Sequence, residues 1–282
     1  MEIINTVARL SSVVEAARQE GKSIGLVPTM GALHAGHRSL VERARRENDI
    51  VVVSVFVNPT QFNNPDDLRT YPRTEEADAA MLRECGVDFA FMPAVEEIYP
   101  EPDTRVFDLG PVAEVMEGAM RPGHFNGVAQ IVSKLFAIAK PDKAYFGEKD
   151  FQQIAVIRRM VEIEGFKGLE IVDCPIVREP DGLALSSRNV RLTPEGRAVA
   201  PHIRRVLLKS LDMKAAGLTP AQVRDAVVAE INAVDGLEAE YYEIVDALTM
   251  QPVATWDEAR NGAVGCVTVY DGDVRLIDNI RY

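Results

Sequence analysis

Cysteine is scarce in this chain, with three in 282 residues, at positions 85, 174 and 266. An odd number without paired spacing excludes a disulfide framework and a cysteine-based zinc site, so Cys85, Cys174 and Cys266 read as reduced filler. Basic residues are in the minority: 31 Lys and Arg against 43 Asp and Glu give a net charge of -12. That balance excludes a broad nucleic-acid footprint, which needs a cationic surface to displace phosphate counterions. An anionic ligand must be held by a local cluster instead. Long apolar runs are also missing. The longest, residues 50–57 with one Ser inside it, is far short of a membrane span. The amino terminus lacks a basic start, an apolar core and a cleavage site, so no membrane partner and a cytoplasmic location are expected. With 47% hydrophobic and 26% charged residues, the chain has the composition of an ordinary folded protein with room for two cores.

What is present concentrates at one place. Two of the four histidines fall in the run Pro28-Thr29-Met30-Gly31-Ala32-Leu33-His34-Ala35-Gly36-His37. Residues 23–27 read as a buried strand and 36–48 as a helix, which makes the run a strand exit and a helix entry. Glycine at 31 and 36 lets the backbone approach a ligand closely. The helix amino end offers N–H groups and a partial positive charge to a phosphate. His34 and His37, three apart, project to one side if both lie in the first helical turn. The run also reads as plain α/β punctuation, but the concentration of histidines favours chemistry.

Further strands are predicted at 50–57, 88–92, 143–146 and 170–172, separated by helical patterns at 74–85, 128–140 and 151–164. Such alternation implies right-handed crossovers and a mostly parallel sheet, with ligands beyond the carboxyl ends of its strands. After about residue 177 the pattern changes. Residues 193–216 and 220–234 read as helices, and 241–246, 263–269 and 274–280 as an antiparallel set turning at Asp271-Gly272-Asp273. The expected fold is therefore α/β. A Rossmann-like parallel-sheet domain, residues 1–176, is followed by a smaller α+β domain, residues 177–282, covering the cleft.

Several segments could carry chemistry. Asn58-Pro59-Thr60-Gln61-Phe62 places an uncharged amide at each end of a rigid turn, suited to hydroxyl and carboxylate recognition. Asn58 reads equally as a turn cap. Segment 63–74 is polar and a candidate mobile cover. Gly147-Glu148-Lys149-Asp150 ends a strand and opens a helix. There Lys149 can place a point charge on a phosphate, Asp150 is a candidate N-cap, and Gln153 lies one turn inside. Segment 121–128, with two glycines around a third histidine, reads as a tight turn before a helix in preference to a cleft lining. Leu185-Ser186-Ser187-Arg188-Asn189 supplies two hydroxyls, a cation and an amide. That set suits a triphosphate, or else a solvated loop that caps the next helix.

Taken together, blocks 28–37, 57–62, 71–74, 121–128, 147–153 and 181–189 resemble, in order, those of the pantoate–β-alanine ligase family. His34-Ala35-Gly36-His37 resembles the His-x-Gly-His signature of the wider nucleotidylyl transferase superfamily. Leu185-Ser186-Ser187-Arg188-Asn189 resembles that superfamily's second signature but lacks its lysine, for which Lys149 is the natural substitute. The carboxy-terminal third is similar in length and pattern only.

The resemblance implies a two-step ligase in coenzyme A precursor synthesis. Pantoate attacks ATP to give pantoyl adenylate and pyrophosphate, and β-alanine then displaces AMP to give pantothenate. It implies an ATP site made of Met30, Gly31, Ala32, Leu33, His34, Ala35, Gly36 and His37. Gly147, Glu148, Lys149, Asp150, Val177, Leu185, Ser186, Ser187 and Arg188 complete that site. His34 and His37 would bind phosphate, with His37 as proton donor. Val177 would offer backbone groups to adenine, while Lys149, Ser186, Ser187 and Arg188 neutralise the outer phosphates. Gln61 and Gln153, with Asn58, would hold pantoate and β-alanine. Mg²⁺ is implied on the phosphates with Asp78 as a protein contact, as is a homodimer without nucleic-acid or membrane partners.

Overall fold

Six short apolar segments pair in parallel into one sheet in the computed structural model, which describes residues 1–282. They are β1 (Glu2–Ile4), β2 (Ile24–Thr29), β3 (Ile50–Val55), β4 (Phe89–Phe91), β5 (Lys143–Gly147) and β6 (Glu170–Cys174). Their spatial order is β1-β4-β3-β2-β5-β6, with every pairing parallel. The connections carry α1 (Val7–Gln19), α2 (Ala35–Glu47), α3 (Pro65–Thr70), α4 (Glu75–Glu84), α5 (Val95–Ile98), α6 (Glu117–Met120), α7 (His124–Ala139) and α8 (Phe151–Glu164). Strand β2 pairs with β3 on one side and β5 on the other, so the winding direction reverses there. The carboxyl ends of β2 and β5 therefore border the switch point, where open parallel sheets bind ligands.

Two compact units emerge from the pattern of internal contacts. The first comprises Met1–Leu109, Arg121–Glu148 and Val156–Pro175, and contains the six-stranded sheet. The second comprises Ile176–Tyr282 together with two earlier segments, Gly110–Met120 and Lys149–Ala155. It contains α9 (Pro194–Val199), α10 (His202–Ala215) and α11 (Pro220–Asn232). Its sheet is antiparallel, formed by β7 (Leu237–Asp246), β8 (Ala263–Asp271) and β9 (Val274–Arg281). No helix is long and apolar enough to cross a membrane.

Three differences from the sequence-based expectation have simple causes. Strand β1 and helix α1 add to the expected set. Strand β1 has only three residues, while α1 shows helical spacing in its buried Leu10, Val14 and Ala17 and is capped by the Thr6 side chain. Helix α7 begins at His124 because Gly123, at φ +84°, starts it without a side-chain cap. Stretch 193–216 is broken between α9 and α10 at Pro201, whose ring lacks the N–H needed to continue a helix.

Helix α2 is fixed to the sheet at its carboxyl end. Glu47 accepts from Arg43 Nε at 2.9 Å, Lys143 Nζ at 3.0 Å and the Tyr145 hydroxyl at 3.1 Å. Asn48 Nδ2 donates to that hydroxyl at 2.7 Å. Valines and leucines beneath, including Val27, Leu40, Val41, Val51 and Val53, bury the inward face of α2 against β2 and β3. In the second unit, α10 and α11 cover one face of the small sheet. Met116, Phe151, Met250 and Cys266 pack together in a separate cluster with Val245 and Val264. Strand β8 is buried along almost its whole length, in keeping with its largely apolar sequence, in which Thr268 is the one polar residue before Asp271.

The hydrogen bonds from Arg43 and then Lys143 hold the Glu47 carboxyl down at about 2, from an ordinary value of 4.5. A carboxylate lowered in the folded state stabilises above its unfolded value and loses that contribution as pH falls. Replacement Glu47→Gln should therefore remove about 1 kcal/mol of stability near neutrality, after discounting for solvent screening. Between pH 4.5 and about 2 the variant should show the shallower acid loss. Urea midpoints across that window check this, and parallel pH profiles would refute it.

Candidate active site

The exit from β2 is built around main-chain donors that have no strand partner. Gly31 takes φ +81°, and a Cβ there would lie 3.0 Å from an Asp78 oxygen and 3.1 Å from Val55 Cγ1. Only glycine meets both demands. Ala32 follows at φ +49°, an uncommon backbone for alanine. Asp78, 2% exposed on α4, holds this strained turn: its carboxylate accepts from Ala32 N at 3.0 Å and Leu33 N at 2.8 Å. The Thr74 hydroxyl donates to the same carboxylate at 3.0 Å.

The next two donors go to imidazoles. Gly36 N donates to His34 Nδ1 at 3.1 Å, and His34 N donates to His37 Nδ1 at 3.3 Å. His34 is the N-cap of α2 and His37 its third residue, so His-x-Gly-His here is a reciprocal capping box in which imidazoles replace the usual hydroxyl and carboxamide. A backbone N–H can only donate. Each Nδ1 therefore accepts, and each neutral ring carries its proton on Nε2. The ring centroids stand 4.1 Å apart. Two N–H donors at the amino end of a helix form a group suited to phosphate oxygens.

Beside this turn, Gln61 lies 8% exposed, with Nε2 3.0 Å from Met30 Sδ. Asn58 is 1% exposed and has all four amide positions occupied. Its Nδ2 donates to Gln61 Oε1 and to the Gly127 carbonyl, and its Oδ1 accepts from the Tyr99 and Thr60 hydroxyls. Asn58 thus holds Gln61 in place, and its amide has no position left for the substrate contact expected of it. Segment 121–128 forms the start of α7 and packs against this group: a Cβ on Gly127 would lie 2.4 Å from the Thr60 carbonyl oxygen.

The remaining expected residues belong to the second unit, apart from Gly147 and Glu148 at the end of β5. Gln153 is half-buried on α8, in its first turn. Its neighbour Gln152 is engaged at both ends of its amide, donating to the Val112 and Val115 carbonyls and accepting from Glu117 N. Asp150 immediately precedes α8, and its carboxylate is 3.7 Å from Lys149 Nζ. Val177 O accepts from Leu185 N at 3.0 Å, and Arg178 bridges to Ala184 across the same small hairpin. The pair Arg178–Asp278 fastens that hairpin to β9 through bonds of 2.7 and 2.8 Å. Ser186 caps the following 3₁₀ turn by accepting from Arg188 N, which places Ser187 and Arg188 in its first positions.

A hollow here is lined by Lys149, Ser186, Asn189 and Arg204. Asn189 Oδ1 is buried there without a donor. Burial, and then the neighbouring Arg178 guanidinium, lower the pKa of Arg204.

No three His, Cys, Asp or Glu residues group to hold a metal ion. Both Asp78 oxygens serve the β2 exit. The residues present do not fit a Mg²⁺ ion held by the protein, and the contact expected of Asp78 is replaced by a structural one. Sequence reasoning missed the roles of Tyr99, Gly127 and Glu117. No local pattern marks them, because the partners that define those roles lie 35 to 158 positions away in the chain.

Comparison with known proteins covers the whole length. The family model described as pantoate-beta-alanine ligase matches residues 2–281. A pantothenate synthetase of Porphyromonas gingivalis is 64% identical over 282 residues, covering 100% of this chain and 99% of that protein. One from Phocaeicola vulgatus is 59% identical with the same coverage. The crystal structure of pantothenate synthetase from Thermus thermophilus aligns with TM-score 0.92 at 48% identity, covering 99% of each chain. That of a pantoate-beta-alanine ligase from Francisella tularensis, complexed with beta-gamma ATP and beta-alanine, aligns with TM-score 0.81 at 36% identity, covering 100% of this chain and 97% of that one.

Removing the Asp78 carboxylate takes away the acceptor shared by Ala32 N and Leu33 N in this turn. Asp78→Ala should destabilise the protein by about 2–4 kcal/mol. It should also lower activity by releasing the His34 and His37 caps. Guanidinium unfolding and turnover measured on one preparation check this. An unchanged unfolding midpoint would show that the turn does not need its carboxylate.

Proposed function

The chain belongs to the pantoate–β-alanine ligase family, and from that premise we propose that it makes pantothenate from pantoate, β-alanine and ATP through a pantoyl-adenylate intermediate. In the first step a pantoate carboxylate oxygen attacks the α-phosphorus of ATP, and pyrophosphate leaves. In the second the β-alanine amine attacks the acyl carbon, forms the amide and releases AMP with loss of a proton. Adenylation turns a poor leaving oxygen into AMP, so the protein's task is alignment and charge stabilisation.

The observation that carries this reading is the imidazole capping box on α2. Both rings are held by main-chain donors, both neutral rings carry an Nε2 proton, and both stand at the positive end of a helix. His34 and His37 are assigned to the ATP phosphates, with His37, the proton donor of the reading, directing its Nε2–H at the phosphoryl oxygens on which charge develops around the pentacovalent phosphorus. Residues 30–37 and 147–150, with Val177 and Leu185, are assigned to ATP. Lys149, Ser186, Ser187 and Arg188 are assigned to its outer phosphates. Gln61 and Gln153 are assigned to pantoate and β-alanine, their neutral amides suiting a hydroxy acid without adding charge. Mg²⁺ enters as part of the substrate MgATP, carried by phosphate oxygens and water. The same reading takes the protein as a cytoplasmic homodimer in which residues 1–176 bind nucleotide and pantoate.

Two outcomes are expected. Given MgATP and pantoate without β-alanine, the enzyme should form pyrophosphate and the adenylate, whereas free AMP should require β-alanine. Isotope exchange between pyrophosphate and ATP checks this, and exchange that needs β-alanine would refute the intermediate. His37→Ala should lower adenylation by roughly 10² or more, the scale of one lost transition-state donor. Single-turnover pyrophosphate release measures it, and an unchanged rate would remove His37 from the chemistry.

A further inference from the structure

Inside the first unit, a chain of neutral hydrogen-bonding groups has a fixed direction. The Gly127 carbonyl can only accept, so the atom of Asn58 at 3.1 Å from it must be the amide nitrogen. The Asn58 oxygen then faces the hydroxyls of Tyr99 at 2.8 Å and Thr60 at 3.2 Å, both of which must donate. The second proton of the Asn58 nitrogen goes to Gln61 Oε1 at 3.1 Å. Gln61 is thereby turned so that its nitrogen points the other way, toward Met30 Sδ, a weak acceptor that cannot donate.

Two further contacts hold the ends of this chain. His124 Nε2 lies 3.2 Å from an Arg121 guanidinium nitrogen, which only donates. His124 Nδ1 therefore carries the proton and donates to the Gln61 carbonyl at 2.7 Å. At the other end, Lys134 Nζ sits 5.2 Å from the centre of the Tyr99 ring, and burial pushes the Tyr99 hydroxyl above its ordinary pKa, keeping it a donor. The Gln61 nitrogen has one proton beyond the one given to Met30, so the amide offers an N–H where the opposite flip would offer a carbonyl.

We propose that Tyr99 is a positioning residue for substrate selection. By donating to Asn58 it locks the Gln61 amide with its N–H toward the ligand, so that this wall of the pocket selects an oxygen lone pair, carboxylate or hydroxyl, over an N–H. The proposal rests on the assignment of Gln61 to the hydroxy-acid substrate. Loss of the Tyr99 hydroxyl leaves the Asn58 oxygen with the Thr60 hydroxyl alone while the nitrogen stays on the Gly127 carbonyl, so the Asn58 amide is held more loosely and Gln61 gains access to the repulsive flip.

The test is a double-mutant cycle on the full-length enzyme at saturating MgATP and β-alanine, comparing wild type, Tyr99→Phe, Gln61→Ala and the double variant. Tyr99→Phe should raise the KM for pantoate about fivefold to tenfold, the worth of one hydrogen bond, with the KM for ATP unchanged. In the Gln61→Ala background the same change should have almost no further effect, because the amide it orients is gone. A merely structural role would instead multiply the two losses and shift both KM values. Multiplied losses, or an unchanged pantoate KM in Tyr99→Phe, would overturn the proposal while leaving Gln61 a substrate contact. Wild-type pantoate kinetics in Gln61→Ala would overturn that assignment and the proposal together. If Tyr99→Phe does not fold, Thr60→Val removes the other hydroxyl on the same oxygen and enters the same cycle.

Discussion

The turn leaving β2 presents the main-chain N–H groups of Ala32, Leu33, His34 and Gly36, and pairing them is the constraint on which the rest of the structure depends. Unpaired donors away from water cost about 1–3 kcal/mol each. The chain meets the demand with three side chains, Asp78, His34 and His37. The imidazoles are thereby fixed in orientation and tautomer before any ligand arrives. Preorganisation of this kind lowers the cost of binding and keeps donors aimed where charge develops. The clamp of Glu47 by Arg43 and Lys143 serves the same end from the far side of α2.

Neutral amides show how adjacent or nearly adjacent residues divide structural from chemical work. Asn58 is saturated by protein partners, and Gln61, three positions on, receives its direction from it. Gln152 ties segment 110–120 to α8, while Gln153 beside it remains half-buried in the same helical turn. Glu117 continues that tie. It receives the Arg275 guanidinium in two bonds of 2.6 Å, and the Tyr241 and Thr268 hydroxyls besides. Burial is the main force on Tyr241, and the Glu117 charge adds to it, so its hydroxyl stays protonated and donating. A half-buried charge so fully paired is weak evidence for added stability, and its bonds serve to fix the geometry of the segments they join.

How much of this was legible depended on the range of the interactions. The parallel sheet was, because buried strands read as short apolar runs and helices as 3.6-residue periods, both local signals. The His34 to His37 turn was legible for the same reason, since its capping bonds span two or three residues. Asp78 was noticed for the wrong contact. Its main-chain partners lie 45 and 46 positions upstream, and nothing around it says that its oxygens close a turn. Tyr99 and Gly127 act on Asn58 from 41 and 69 positions away. An aromatic residue before a proline and a glycine in a helix carry no mark of such service. The break at Pro201 was the exception, a local signal present in the run and overruled by the surrounding helical pattern.

An acidic chain that handles a polyanion faces a problem that its net charge of -12 makes worse, since the long-range field repels the ligand. Electrostatic attraction must then come from within a Debye length, about 8 Å at physiological salt, where a few cations and N–H dipoles outweigh the rest. Most arginines here are already neutralised by carboxylates, as in Arg45–Asp88, Arg178–Asp278 and Arg275–Glu117. Arg204 is different. It is half-buried, carries no carboxylate in hydrogen-bond range, and lines the same hollow as Lys149 and Ser186. The one carboxylate lining that hollow, Asp278, is already paired with Arg178, so it offsets the desolvated Arg204 guanidinium only in part. Cations and N–H dipoles grouped at short range can offset the repulsion of a strongly negative chain. Salt screens the distant repulsion before it reaches such short, partly buried contacts, so the attraction that matters is the part least exposed to the ionic medium.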